Sequence, residues 1–405
     1  MIVNCIFIFL TTLVLALLSI KKLIYVSHKK HLFDEPSEER KIHKNRTPNL
    51  GGVAIFSSMM FTSFLFLPNT SIHQLKYLII SSFIIFILGL TDDLVGVNPI
   101  KKIIPQLGVA LLTTLWGNSR FTSFYDFLGL TEMPFGVSIF VSVFFILLLI
   151  NAFNLIDGIN CLAGSIGLLA CLIFAYFFWK MQETGLLFLS IAMCGCLAGF
   201  LFYNRTPAKI FMGDTGSLFL GFIVSVLAIN LIELNETHSI KESVPTIKSS
   251  PAFIFGLLII PIFDTLRVFL LRLSKGRSPF SADRNHIHHR LLDLNLSHLQ
   301  ITGILLLLTI ISFSFVLFFP NFSTTFLCFV IFTLTLVFNS IVSLLIDRKG
   351  NTLQKINPKK NIFDFEKLLY QEETSPKNAI QGTNYDETAK VIELKKPPQK
   401  VSGAV

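Results

Sequence analysis

Residues Pro207–Gly221 read PAKIFMGDTGSLFLG, and the interpretation of the whole chain turns on this stretch. One carboxylate, Asp214, lies inside Gly213-Asp214-Thr215-Gly216-Ser217, with long apolar runs on both sides. A charge held between apolar segments is expensive unless water, a metal ion or a partner meets it there. The flanking glycines permit a sharp backbone turn. Two readings follow: a solvated Asp in a Gly-rich turn, or a carboxylate that holds Mg²⁺ at a membrane surface while other loops converge on it.

The flanking composition supports a membrane setting. Of 405 residues, 52% are hydrophobic, 42 are Phe, and mean hydropathy is +0.66. Only 15% are charged, against about 25% in a soluble domain. The chain is therefore read as an integral membrane protein, which excludes a soluble enzyme. The net charge of +9 is concentrated in a few loops and the tail. It serves as a topology signal, or meets anionic lipid and phosphorylated substrates; no nucleic-acid partner is expected. The six Cys fall in or beside apolar runs without a CxxC pair, which predicts buried thiols. The first apolar run has no basic leader or small-residue cleavage site and reads as a retained helix.

A helix that crosses a bilayer needs about 20 mostly apolar residues. Eleven runs qualify: 2–26, 50–67, 76–91, 101–116, 136–153, 160–179, 184–201, 216–232, 250–272, 299–319 and 323–346. The expected fold is all-α, a polytopic membrane protein with about eleven transmembrane helices. Residues 1–346 form the transmembrane domain, and the polar stretch 347–405 reads as a largely disordered cytoplasmic tail. Loops 27–49, 92–102, 151–160, 203–215 and 272–298 carry 15 Lys and Arg, and the opposite loops carry 5. The positive-inside rule makes the first set cytoplasmic, with the N-terminus outside and the tail inside.

The unusual polar residues all fall in the cytoplasmic set, which points to one site bounded by lipid. Asp92 and Asp93 end an apolar run, either solvated at a helix end or facing a metal-bound diphosphate; Gly96 stands where a DDxxD motif needs a third Asp. Lys102 and Gln106 follow at helical spacing, and Lys102 either snorkels to the interface or holds a phosphate. Asn151, Asn154 and Asp157 share a helix face at three-residue spacing, as polar caps or as site residues. His286, His288 and His289 stand beside Arg284 and Arg290; with no nearby Cys, anion binding suits them better than zinc. Asp264 and Arg267 lie three apart and read as a mainly structural pair.

Together these segments resemble the polyprenyl-phosphate N-acetylhexosamine-1-phosphate transferases, the WecA/TagO/MraY-like membrane family. The resemblance covers about residues 40–295. It rests on Lys41-Ile-His43 with Thr47-Pro48-Asn49-Leu50-Gly51-Gly52, Asp92-Asp93 with Lys102 and Gln106, Asn154-Leu-Ile-Asp157-Gly158, Asn204 with Pro207–Ser217, and His286-Ile-His288-His289. It implies that a membrane polyprenyl (undecaprenyl) phosphate attacks the sugar-linked phosphorus of a UDP-N-acetylhexosamine. Polyprenyl-diphospho-sugar and UMP result, with Mg²⁺ (or Mn²⁺) as cofactor, in the first membrane step of cell-envelope polysaccharide synthesis. It further implies a bacterial inner (cytoplasmic) membrane location.

By the same resemblance Asp92, Asp93, Asp214, His288 and His289 are catalytic. Lys102, Asn154, Asp157, Asn204, Arg284 and His286 bind substrate, and Asp214 and Asn154 hold the metal. The histidine loop looks WecA-type, which favours UDP-GlcNAc over the large UDP-MurNAc-pentapeptide of MraY-type members. One departure stands out: the family's Asp-Gly-Leu/Ile-Asp-Gly is Asp157-Gly158-Ile159-Asn160-Cys161 here, so a charge is lost at Asn160. The competing class is a polytopic transporter or flippase, which would place its ionisable groups near the bilayer midplane. A homodimer is the one protein partner contemplated.

Overall fold

The computed structural model describes residues 1–30, 47–240, 247–276, 278 and 285–356. The described residues up to Lys349 belong to one compact unit. Of the tail, only the last turns of a helix ending at Ile356 are described, so the expectation of disorder concerns residues outside the described set.

Every one of the eleven apolar runs is helical. The helices are α1 (Ile2–Lys30), α2 (Gly51–Phe66), α3 (Asn69–Val95), α4 (Pro99–Leu115), α5 (Phe135–Ile156), α6 (Leu162–Lys180), α7 (Thr184–Asn204), α8 (Gly213–Ile240), α9 (Ser250–Leu257), α10 (Ile259–Ser274), α11 (Ile287–Asp293), α12 (His298–Phe318) and α13 (Thr324–Ile356). A two-stranded hairpin, β1 (Ser123–Phe127) with β2 (Leu130–Glu132), joins α4 to α5. Among the described residues eight single helices are long and apolar enough to cross a membrane, and the bent pair α9–α10, taken as one span, makes a ninth. The two runs that fall short are α2 and α4, with 16 and 17 residues. At about 1.5 Å per residue they span roughly 25 Å, less than the 30 Å hydrocarbon core.

The run 250–272 is broken by 74° between α9 and α10. Pro261 accounts for the break. A proline ring collides with the carbonyl four residues earlier and offers no amide; that carbonyl belongs to Leu257, the last residue of α9.

The centre of the bundle is α8, which packs against α2, α3, α5 and α6. Its apolar stretch is 83% buried, whereas those of α1 and α13 are 17% buried and form the lipid-facing margins. A helix that is apolar on every side belongs in such a setting. Because successive helices alternate in direction, the C-terminal ends of α3 and α5 and the N-terminal ends of α4 and α8 lie at one end of the bundle. The hairpin lies at the other, where Glu233 accepts hydrogen bonds from the Thr122 amide (2.8 Å) and hydroxyl (2.7 Å).

Candidate active site

The start of α8 is built to sit against three other segments. The amides of Gly51 and Gly52 donate to the carbonyls of Phe211 (2.9 Å) and Met212 (2.8 Å), and Phe211 N donates to Pro48 O (2.8 Å). Residues 48–52 therefore run beside 211–213 as a short backbone-paired ribbon. Gly52 must be glycine for this approach, because a Cβ there would stand 2.1 Å from Gly216 N. Gly213 turns the chain into α8 with φ +70°, a conformation that favours glycine.

Asp93, at the end of α3, holds this turn in place. Its carboxylate accepts from the amides of Asp214 (2.8 Å) and Thr215 (2.9 Å), the Thr215 hydroxyl (2.5 Å) and the Asn49 amide (3.3 Å). These are the first amides of α8, which have no partner within their own helix. Asp93 thus caps α8 from a different helix. Its geometry departs from the expectation of a reacting group, because both oxygens are committed to internal donors.

Asp92 points elsewhere. Its Oδ1 accepts from Val97 N (2.6 Å), and its Oδ2 meets the Lys102 ammonium of α4. The same Lys102 Nζ lies 2.7 Å from Asp214 Oδ2. Asp92 and Asp214, from helices far apart in sequence, therefore share one cation. Asn154, near the end of α5, donates its amide to Asp214 Oδ1 (2.9 Å) and to Ser217 Oγ (3.0 Å). Expected as a metal ligand, Asn154 presents its NH₂ to Asp214 and so orients that carboxylate.

The donor set fits Mg²⁺. That ion takes one or two carboxylates and completes its shell with water and substrate phosphates, and Asp214 and Asp92 supply two carboxylates around a point that already attracts an ammonium. Among the described residues no group of three or more His, Cys, Asp or Glu is arranged to hold a metal.

Asp157 caps the C-terminal end of α5. Burial, reinforced by the negative charge of Asp214 and Asp93, pushes its carboxyl well above the ordinary range.

The histidines reach this basin of carboxylates through Gly158. A Cβ at Gly158 would lie 2.3 Å from His288 Nε2, so the ring of His288 rests on the backbone next to Asp157. His288 is buried and neither ring nitrogen has a partner. Burial, aided by the neighbouring His289, lowers its pKa to about 3, so the ring is neutral. His286 and His288 stack with centroids 5.8 Å apart, and His288 and His289 are 4.3 Å apart.

Two expected residues fall otherwise. Asn204 is buried with its amide oxygen on Cys161 N (2.7 Å) and its nitrogen on Ile210 O (2.8 Å). It ties the start of α6 to the loop before α8, and both of its polar groups are used internally. Arg290 reaches Asn339 and Ser343 of α13 instead of the basin. Arg284 lies outside the described residues, as do Lys41 and His43. Asn160 is buried, donates to Thr206 Oγ1 (3.1 Å), and its backbone is held by His298 and Thr302. Asn160 thus supports the loop 204–207 through its amide nitrogen, while its amide oxygen is buried without a partner.

Sequence reasoning took Asp264 as half of a mainly structural pair with Arg267 and missed its further contacts. It is fully buried, and it accepts from Arg267 (2.8 Å), from the Ile287 amide (2.9 Å) and from His286 Nδ1 (2.9 Å). The signal was present: an Asp–Arg pair at i, i+3 in an otherwise apolar helix is costly enough to need a further role.

Known proteins resemble this chain in sequence. A family model described as glycosyl transferase family 4 matches residues 75–232, the span that carries Asp92, Lys102, Asn154, Asp157 and Asp214. A probable undecaprenyl-phosphate N-acetylglucosaminyl 1-phosphate transferase of Bacillus subtilis (strain 168) is 35% identical over 268 residues, covering 65% of this chain and 71% of the relative. An undecaprenyl-phosphate alpha-N-acetylglucosaminyl 1-phosphate transferase of Escherichia coli (strain K12) is 30% identical over 274 residues, 65% of this chain and 70% of the relative. A decaprenyl-phosphate N-acetylglucosaminephosphotransferase of Mycobacterium leprae (strain TN) is 26% identical over 281 residues, 65% and 71% of the two chains. With the matched span containing the carboxylates that meet at Lys102, the chain belongs to glycosyl transferase family 4 and is a multi-pass membrane phosphoglycosyl transferase.

Proposed function

We propose that this protein transfers N-acetylhexosamine-1-phosphate, with GlcNAc-1-phosphate as the first choice, from the UDP-sugar to undecaprenyl phosphate. A lipid phosphate oxygen attacks the sugar-linked phosphorus, the bond from that phosphorus to the bridging oxygen breaks, and UMP departs. The relatives' names point to this substrate pair. One observation carries the reading: Asp92 and Asp214 converge on a single cation at one end of the bundle, where a lipid and a soluble substrate can both arrive.

Phosphoryl transfer asks mainly for positioning and neutralisation of charge. A phosphate monoester has its second pKa near 6 and is largely ionised at neutral pH, so Asp92 has a positioning task with Lys102 as counter-charge. Asp214, set by Asn154 and by the cap from Asp93, would hold Mg²⁺ together with Asp92. The ion would neutralise diphosphate oxygens. Asp157 and the neutral face of His288 line the side of the basin toward the nucleotide sugar. The excess of Lys and Arg in the loops at this end supports a cytoplasmic site with the N-terminus outside, and the bacterial relatives support an inner-membrane location.

The test is direct. Membranes holding the protein are incubated with radiolabelled UDP-GlcNAc, undecaprenyl phosphate and Mg²⁺, and labelled lipid and UMP are measured. Both products are expected; chelation with EDTA removes them, and Mg²⁺ or Mn²⁺ restores them. Asp214→Asn should insert normally yet turn over at under about 1% of the wild-type rate, the scale of a lost electrostatic contact in a transition state. No labelled lipid from any UDP-HexNAc would overturn the assignment.

A further inference from the structure

We propose that Asp264 is a positioning residue for the transfer reaction: it fixes the tautomer of His286 and the start of α11, and through them the placement of His288 and His289. The inference rests on the proposed function, since it concerns how the histidines are held over that site.

Asp264 is buried in α10 among apolar side chains. A buried carboxylate is tolerated only when strong partners surround it. Arg267, on the same helix, already supplies an ion pair at 2.8 Å. Two further contacts cross to another segment: Asp264 Oδ1 accepts from Ile287 N at 2.9 Å, and Oδ2 meets His286 Nδ1 at 2.9 Å. Arg267 follows the same path and donates to Asn285 O. The pair thus grips residues 285–287 from three points.

The chemistry of the His286 contact is specific. An ionised carboxylate only accepts hydrogen bonds, so Nδ1 must carry the proton. In a neutral imidazole this leaves Nε2 as the lone-pair nitrogen. The ring so held stacks on His288, which touches His289 and rests on Gly158 beside Asp157. A continuous path of contacts runs from Asp264 through His286 and His288 to the backbone at the end of α5. A purely structural ion pair would end at Arg267; this one ends at the basin.

The experiment uses full-length protein purified in detergent with ¹⁵N-labelled histidine. His286 is assigned by comparison with His286→Gln. In the wild type the ¹⁵N shifts should report a proton on Nδ1 of His286. Asp264→Asn keeps the shape and retains an oxygen for Ile287 N, but its amide nitrogen donates toward the ring and should move the proton to Nε2. Asp264→Glu, which keeps the acceptor, should retain the Nδ1–H form. In Asp264→Asn the kcat for UMP release should fall about 10- to 100-fold, the scale of a sub-ångström to 1 Å misplacement, with the KM for UDP-sugar within about twofold. His286→Ala should lower kcat to a similar degree, and the double variant should be no worse than the more damaged single. An Nε2–H tautomer in the wild type, or unchanged kcat in a folded Asp264→Asn variant, would overturn the proposal. The wild-type tautomer needs no variant to fold and no activity, so a failure of the transferase reading, seen as no product from wild-type protein, is separable from a failure of this one.

Discussion

Replacing Asp93 separates two roles that adjacent carboxylates could share. The Asp93 carboxylate accepts four hydrogen bonds, three of them from Asp214 and Thr215 at the start of α8. In Asp93→Ala two backbone amides and a hydroxyl lose their acceptor. A hydrogen bond to a charged group contributes about 1.5–3 kcal/mol, and capping losses run about 0.5–2 kcal/mol. Because water reaches this end of the bundle, the low end applies, and the loss of both amide contacts should total roughly 3 kcal/mol. Asp93→Asn keeps one carbonyl oxygen for a shared pair of donors and should lose about half of that. The consequence for chemistry is larger than the loss of stability suggests, because the capped residue is Asp214 itself. A displacement of about 1 Å in a positioned group can lower the rate about 100-fold. The assay pairs UMP release with thermal unfolding of detergent-purified protein, followed by a thiol dye that reports Cys161, Cys171, Cys194 and Cys196, all buried in the fold. Asp93→Asn should unfold at lower temperature and turn over about 10- to 100-fold more slowly, and Asp93→Ala should be worse on both counts. If Asp93→Asn abolished turnover as completely as Asp214→Asn while unfolding at the wild-type temperature, Asp93 would be a reacting group and the capping argument would fall.

Substitutions at three other positions test separate parts of the site. Gly52→Ala would put a methyl carbon 2.1 Å from Gly216 N and 2.5 Å from its Cα, and since neither backbone can yield, monodisperse protein should be nearly lost; a wild-type yield refutes the close approach. Lys102→Met removes the ammonium shared by Asp92 and Asp214, and initial rates should drop on the order of 100-fold, with Lys102→Arg only partly active because its planar fork differs from a point charge; a Met variant at the wild-type rate would remove Lys102 from the site. His288 makes stability sensitive to acid: its folded pKa is near 3 and its unfolded value is about 6.5. Above pH 6.5 both states are neutral and nothing is lost; below it the unfolded chain takes a proton that the fold excludes. Stability should fall by about 2 kcal/mol between pH 6.5 and 5. The drop in unfolding temperature over that range should shrink in His288→Gln, and an identical drop in both proteins would show that His288 does not titrate in this way.

The parts of this architecture that were legible in the sequence share one property: their signal is local. A run of about 20 apolar residues is a helix whatever it packs against, and all eleven runs are helices. The break at Leu258 was also written locally, in Pro261, but a hydropathy scan passes over a single proline in an apolar run. The convergence of Asp92, Lys102, Asn154 and Asp214 could be anticipated because all lie at the same end of alternating helices. What could not be read was which oxygen meets which donor. Asp92 and Asp93 are chemically identical neighbours, yet successive residues on a helix diverge by about 100°, so one turns to Lys102 and the other to α8. Asn204 looked like a pocket residue because its type and position allow it; only the positions of Cys161 N and Ile210 O show that its amide is already satisfied.

That divergence also explains why two acidic residues outside the basin carry so much of its geometry. Helix starts ordinarily find a cap in the residue just before them, from Ser, Thr, Asp or Asn. Here α8 is preceded by Met212, whose side chain offers no oxygen to cap it, and α11 follows His286, which makes no side-chain cap. In both cases the acceptor arrives from another helix: Asp93 of α3 for α8, and Asp264 of α10 for α11. A local cap would form as soon as its own helix formed, wherever that helix lay. A cap supplied in trans is satisfied only when two helices have docked in the correct register, so it ties the first turn of α8, which bears Asp214, and that of α11, which bears His288, to the assembled bundle. For a site gathered from many loops at a membrane face, the physical demand is that the reactive groups be fixed by the packing of the whole, and a distant carboxylate on an otherwise orphaned pair of amides meets that demand with a single side chain.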